Sequence, residues 1–163
     1  MVDIVKRKVY IETTVVSYFT ARPHRDLIIA GHQEETRELW PKLTSEYETY
    51  VSALVLAEAG KGDVEQAGKR LAAMIDFKLL AVDDDARLLA SAIIAGGGVP
   101  EEYPEDALHV AVAACHGIDI LLTWNYAHLH NPFTGALLRR CVENAGYVCP
   151  EICSPGELLE AIQ

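Results

Sequence analysis

Short apolar runs alternate along this chain with longer segments of helical periodicity, and most junctions carry a turn or capping residue. Val9-Tyr10-Ile11 is the first such run. It predicts a strand over 8–12, followed by a helix capped by Thr13 or Thr14 and running through Phe19. Arg22-Pro23-His24-Arg25 breaks that helix. Residues 26–46 read as a second helix with Leu39, Trp40 and Leu43 on one face, and Pro41 marks a bend or an early end. A strand over Tyr47–Val51 leads into ALVLAEAG, a helix capped by Ser52, and a further helical stretch runs from Val64 to Ile75. Lys78–Val82 is strand-like, and DDDARLLASAIIA forms a helix with acids in its first turn, ended by Gly96-Gly97-Gly98.

Pro104 opens PEDALHVAVAACHG, which is apolar on nearly every side and therefore predicts a buried helix stopping at Gly117. Asp119–Thr123 follows as a strand, then a short helix over Tyr126–His130 and a helix over 134–145. Tyr147-Val148-Cys149 reads as a last short strand, and Ser154-Pro155 starts a final helix in PGELLEAI. Strands alternating with helices predict a parallel sheet covered on both faces. Without repeats, low-complexity tracts or a linker, the expectation is a single α/β domain over 1–163.

Composition narrows the function classes. Half of the 163 residues are hydrophobic, so the chain can bury a core and disorder is not expected. No apolar run approaches the roughly 20 residues of a membrane helix. The opening MVDIVKRKVY lacks the apolar segment and cleavage site of a secretion signal, so a soluble cytoplasmic protein is expected. Cys115, Cys141, Cys149 and Cys153 form no C-x-x-C pair, and free thiols fit a reducing compartment. The net charge of −10 argues against broad phosphate neutralisation as a source of affinity. It leaves room for acids gathered around divalent cations.

In open parallel sheets, ligands bind beyond the carboxyl ends of the strands. Four polar residues fall there: Glu12 after the first strand, Glu58 in the helix after the second, Asp106 in the first turn of the alanine-rich helix, and Asn125 after LLT. Singly, each has a plain alternative: a strand-end charge, a solvated helix edge, an acid answering the helix dipole, a turn residue. Jointly, convergence at one end of one sheet is what those alternatives do not require. Carboxylate oxygens are the ligands of hard cations such as Mg²⁺ and Mn²⁺, and one or two such ions promote phosphodiester hydrolysis.

The phrases VYIETT, SALVLAE, EDALHVAVA and LLTWN, in that order, resemble a PIN-domain nuclease of the small VapC-like toxin type. The resemblance spans roughly residues 8 to 130, and the tail CPEICSPGELLE resembles the ending of one branch. It implies a three-layer α/β/α sandwich with a mostly parallel sheet of 4–5 strands. It also implies a metal-dependent endoribonuclease of a toxin–antitoxin pair, with an RNA substrate, a small antitoxin partner and a homodimeric state. Position by position, Glu12, Glu58 and Asp106 become the metal-binding acids and Asn125 the fourth, supporting member. Glu12 departs from the family pattern, which usually has aspartate there, and Asn125 is neutral where many members carry a carboxylate. A catalytically weak binding module built on the same fold is the rival reading.

Several further residues carry two readings. Thr13 and Thr123 donate to a ligand carboxylate or a phosphate, or else cap helices. Arg22, His24, Arg25 and Lys61 are the basic residues nearest the expected mouth, for RNA backbone or for solubility alone. His109 lies one turn beyond Asp106 and reads first as a hydrogen-bonded core histidine. Glu105 and Asp83-Asp84-Asp85 read as helix-dipole acids, and His128 and His130 as solvated loop residues.

Overall fold

Lys8–Ile11 forms β1, with Val9, Tyr10 and Ile11 fully buried, so this strand lies inside the protein rather than at its rim. The structure, a computed structural model, describes residues 4–162. The outermost residues of the expected 1–163 domain lie outside that range. In chain order β1 is followed by α1 (Thr13–Thr20), α2 (Leu27–Ser45), β2 (Glu48–Ser52), α3 (Ala53–Ala59), α4 (Val64–Ala73), β3 (Lys78–Leu80) and α5 (Asp84–Ala95). Then come α6 (Pro104–Cys115), β4 (Ile120–Leu122), α7 (Gly135–Asn144), β5 (Glu151–Cys153) and α8 (Pro155–Ala161).

The five strands make one sheet in the order β3-β2-β1-β4-β5, and every neighbouring pair is parallel. Tyr10 stands opposite Tyr50 on one side and Leu121 on the other, which centres β1. Helices α5, α6 and α7 pack among themselves, as do α1 to α4 with α8 joining α2, giving the α/β/α layering. One hydrophobic cluster runs through these layers, from Val9 and Leu39 to Val110, Leu122 and Leu159. Helix α6 is buried almost throughout, as its apolar sequence predicts, and Gly117, at φ +66°, takes the left-handed turn that follows it. Among the described residues no helix is long and apolar enough to cross a membrane.

Helix α2 spans nearly the whole of the expected 26–46 and does not end early at Pro41, which faces solvent, where the carbonyl that loses its donor can meet water. Two local expectations are corrected. Tyr126–His130 is a turn and not a helix. The Asn125 carbonyl accepts from both Leu129 N and His130 N, and Pro132 lies too close for another helical turn to form. The last strand is Glu151–Cys153 rather than Tyr147–Cys149. Its register is set by β4, with Glu151 opposite Ile120 and Cys153 opposite Leu122, while Val148 stays exposed before Pro150.

Candidate active site

The chain leaves β1 toward β2 and β3 on one side of the sheet and returns to β4 and β5 on the other. The crevice at the carboxyl ends of β1 and β4 is therefore the topological switch point, where doubly wound sheets bind ligands. Ile11 and Leu122 are paired at that end, so the next residues, Glu12 and Thr123, face each other across it.

Glu12 is 4% exposed and caps α1, which corrects the expected cap at Thr13 or Thr14: both threonines lie inside the helix, and the carboxylate reaches back to Thr14 N. Its Oε2 accepts from Thr14 N at 2.9 Å, and its Oε1 accepts the hydroxyls of Thr14 at 2.5 Å and Thr123 at 2.6 Å. A buried carboxylate with no cation beside it is costly unless its lone pairs are filled. Three donors and the positive end of α1 meet that need here. Thr123, fully buried, is thus a support behind Glu12 and has no surface for substrate. Its Oγ1 also accepts Asn125 N at 2.9 Å, which ties the acid to the loop after β4.

Glu58 sits in α3, whose first turn is fixed by the Ser52 cap. Its Oε1 accepts from Thr13 Oγ1 at 2.8 Å and lies 2.6 Å from His109 Nε2. Burial alone would raise its pKa, but the hydrogen bonds from His109 and Thr13, with the charge of Lys61, outweigh burial and hold it below the usual glutamate value. No hydrogen bond engages Oε2 among the described residues. His109 is 1% exposed, the buried histidine the sequence suggests, yet its outer nitrogen belongs to the site.

Asp106 follows Pro104 in the first turn of α6. Its Oδ2 receives Asn125 Nδ2 at 3.1 Å and meets His128 Nδ1 at 2.9 Å. Asn125 is engaged at both ends, since its Oδ1 accepts His128 N at 3.0 Å, so it works as a holder of Asp106. The His128 ring stacks on Tyr103 at 3.8 Å between centroids. This corrects the reading of His128 as solvated: the Asn125-Tyr126-Ala127-His128 turn folds it back onto the acid. The signal for it was local, an asparagine three residues ahead able to accept the histidine amide. His130 is likewise paired, with Glu157 at 2.7 Å. Trp124 anchors the loop from beneath, donating Nε1 to Thr36 at 2.9 Å and stacking on His32 at 4.1 Å.

The remaining candidates are placed as follows. Thr13 is half-buried and engaged with Glu58. Arg22, Arg25 and Lys61 are exposed and make no ion pair among the described residues. Arg22 borders a cleft with Ala21, Asp63, Glu65 and Gln66, and none of Glu12, Glu58 and Asp106 lines it. Two clefts of about 630 and 690 Å³ are lined by neither Glu12, Glu58 nor Asp106. Asp83 caps α5, with Asp84 and Asp85 in its first turn, as a helix start requires. All four cysteines are free.

The donor set is oxygen-rich and suits a hard cation. Oδ1 of Asp106 and Oε2 of Glu58 have no protein partner among the described residues, and Oε2 of Glu12 has a single one. Yet among the described residues no three acids, histidines or cysteines come together closely enough to cage an ion. The residues therefore fit a cation held by one or two carboxylates and water, the habit of Mg²⁺, and not a closed all-protein site.

No protein-family model matches the sequence, and no curated protein matches it. Solved structures do match. The VapBC2 structure of Rickettsia felis, bound to a DNA fragment from its promoter, superposes with a TM-score of 0.56 at 13% identity, over 89% of this chain and 98% of that one. VapC20 of Mycobacterium tuberculosis, a sarcin-ricin loop cleaving toxin, superposes with a TM-score of 0.50 at 18% identity, over 86% and 96%. At these identities the likeness is one of fold, and the fold of this chain is that of the VapC-like PIN domains.

Proposed function

We propose that this protein is a metal-dependent endoribonuclease, the toxin of a toxin–antitoxin pair. The observation that carries this reading is the pair Glu58 and Asp106. Each is anchored through one oxygen by a histidine and keeps the other oxygen free, beside the switch point of a VapC-like fold. Glu58 through Oε2, Asp106 through Oδ1 and Glu12 through Oε2 would share one or two Mg²⁺ or Mn²⁺ ions, with no more than two of these carboxylates on any one ion and water filling its remaining positions. Asn125 keeps Asp106 in place. Such an ion, when bound, supplies a water of lowered pKa and neutralises charge at the scissile phosphate.

The protein's own part is to keep these acids in place. Thr14 and Thr123 hold Glu12, Thr13 and His109 hold Glu58, and Asn125 and His128 hold Asp106. Arg22, Arg25 and Lys61 are the exposed cations available for RNA phosphates. A small antitoxin, a homodimeric state and a cytoplasmic location belong to the same reading; the Rickettsia felis VapBC2 complex supports the first.

The test is cleavage of a mixed single-stranded RNA pool with Mg²⁺ or Mn²⁺ by wild type and Asp106→Asn. Metal-dependent cleavage by wild type alone is expected. Equal, EDTA-insensitive cleavage by both proteins would overturn the reading.

A further inference from the structure

Behind Glu58 lies a chain of buried polar groups that the cleavage chemistry does not itself require. His109 Nδ1 is 2.7 Å from Tyr10 Oη, and Tyr10 Oη is 2.8 Å from Ser52 Oγ. Ser52 Oγ in turn accepts Val55 N at 3.3 Å. Tyr10 and Ser52 are fully buried and His109 is 1% exposed. The chain crosses β1, the cap of α3 and α6, and Glu58 is its only member with substantial exposure.

Proton inventory allows one ordering of this chain. An ionised carboxylate only accepts, so the 2.6 Å contact to Glu58 places a proton on His109 Nε2. If the Ser52 hydroxyl donates to Tyr10, the Tyr10 hydroxyl donates to His109 Nδ1, and every proton has one acceptor. The reverse ordering leaves the Ser52 proton without an acceptor at a site of zero exposure. Burial, the largest influence on the Tyr10 phenol, pushes its pKa well above the ordinary value and keeps it a donor. Among the described residues no buried side-chain polar atom is left without a partner.

We infer that His109, set by Tyr10 and Ser52, is a positioning residue for Glu58: it holds Oε1 from behind and so commits Oε2 to the cation. The inference rests on the metal-dependent reading above for the role of Oε2, while the clamp itself is a property of the metal-free protein. A glutamate on a short helix has many rotamers. Two hydrogen bonds to one of its oxygens, from Thr13 and from an imidazole that cannot turn, select one of them. A histidine serving the core alone would be satisfied by Tyr10 and any buried acceptor, and would leave the geometry of Glu58 unaffected.

The experiment uses wild type, Tyr10→Phe, His109→Leu and His109→Gln, whose carboxamide can still donate to Glu58, each first checked for folding. On metal-free wild type, nitrogen-15 NMR should show the His109 ring protonated at Nε2 with Nδ1 bare. Mn²⁺ titration should show affinity about 10- to 100-fold weaker in His109→Leu and Tyr10→Phe. RNA cleavage should show a lower kcat with KM within about twofold, and His109→Gln should recover most of both losses. An Nδ1-protonated ring, or folded His109→Leu with wild-type Mn²⁺ affinity, would overturn the inference. If wild type neither binds Mn²⁺ nor cleaves RNA, the metal reading falls and the assignment of Oε2 to a cation falls with it. The ring tautomer, read without metal, then decides the clamp.

Discussion

His128 Nδ1 lies 2.9 Å from Asp106 Oδ2, the oxygen that Asn125 Nδ2 also reaches. Two donors on one oxygen mean that an amide oxygen in its place can still accept both. Asp106→Asn is therefore expected to melt within about 1 kcal/mol of wild type without metal, and to lose the Tm rise that Mn²⁺ gives wild type. Asp106→Ala strands both donors, which costs about 1–3 kcal/mol. For a domain of this size that is a fall of roughly 2–12 °C in Tm. Thermal melts of the three proteins with and without Mn²⁺ check this, and an Asp106→Asn melt as low as that of Asp106→Ala would contradict it.

Glu12 carries the cap of α1 and is the acceptor for a fully buried hydroxyl on Thr123. Loss of the cap costs about 1 kcal/mol. An unpartnered buried hydroxyl adds about 1–3 kcal/mol. Glu12→Ala should therefore lower unfolding stability by about 2–4 kcal/mol in urea melts. A change below about 1 kcal/mol would mean that Glu12 is not needed to hold this end of the sheet together.

Acid sensitivity has an identifiable source at the last helix. Burial raises the Glu157 pKa, but its hydrogen bonding with Ser154 and the pairing with His130 outweigh it, so it lies below the ordinary value of 4.5. A depressed folded pKa gives stability that is fully present above the unfolded value and lost as pH falls through the folded one. Wild type should thus lose stability more steeply below about pH 4.5 than Glu157→Gln, which keeps a capping-box partner without the charge. Denaturant melts from pH 6 down to about pH 3 read the two slopes, and parallel curves would count against the assignment.

Arg22, Arg25 and Lys61 offer a test of RNA contact that does not require cleavage. On a chain of net charge −10, few phosphate contacts are available, so the salt dependence of RNA binding should be shallow. Each cation that touches a phosphate should lower the slope of log K against log salt by about 0.7 when changed to alanine. Fluorescence anisotropy with a labelled single-stranded RNA measures it. Slopes that none of the three substitutions alters would remove them from the RNA path.

The alternation of strands and helices was legible because each element carries its own signal. Ser52 and Ser154 cap helices where expected, and α6 is buried because it is apolar all round. The last strand was not legible. Tyr147-Val148-Cys149 has the higher strand propensity, yet the strand is the segment that reaches β4 in register, after Pro150. Propensity ranked the two segments in the wrong order because partnership, not composition, decides an edge strand.

The sequence by itself determined which residues end the strands and open the helices, and so which acids and amide lie near the switch point: Glu12, Glu58, Asp106 and Asn125. What holds them was decided by the tertiary structure. Capping and helical spacing act over a few residues, whereas the contacts that orient the acids span much more chain. His128 reaches Asp106 across 22 residues, His109 reaches Glu58 across 51, and Thr123 reaches Glu12 across 111. Those distances close only when β4 pairs with β1 and α6 packs in the core, so the role of each histidine follows from the fold and not from its neighbours in the chain.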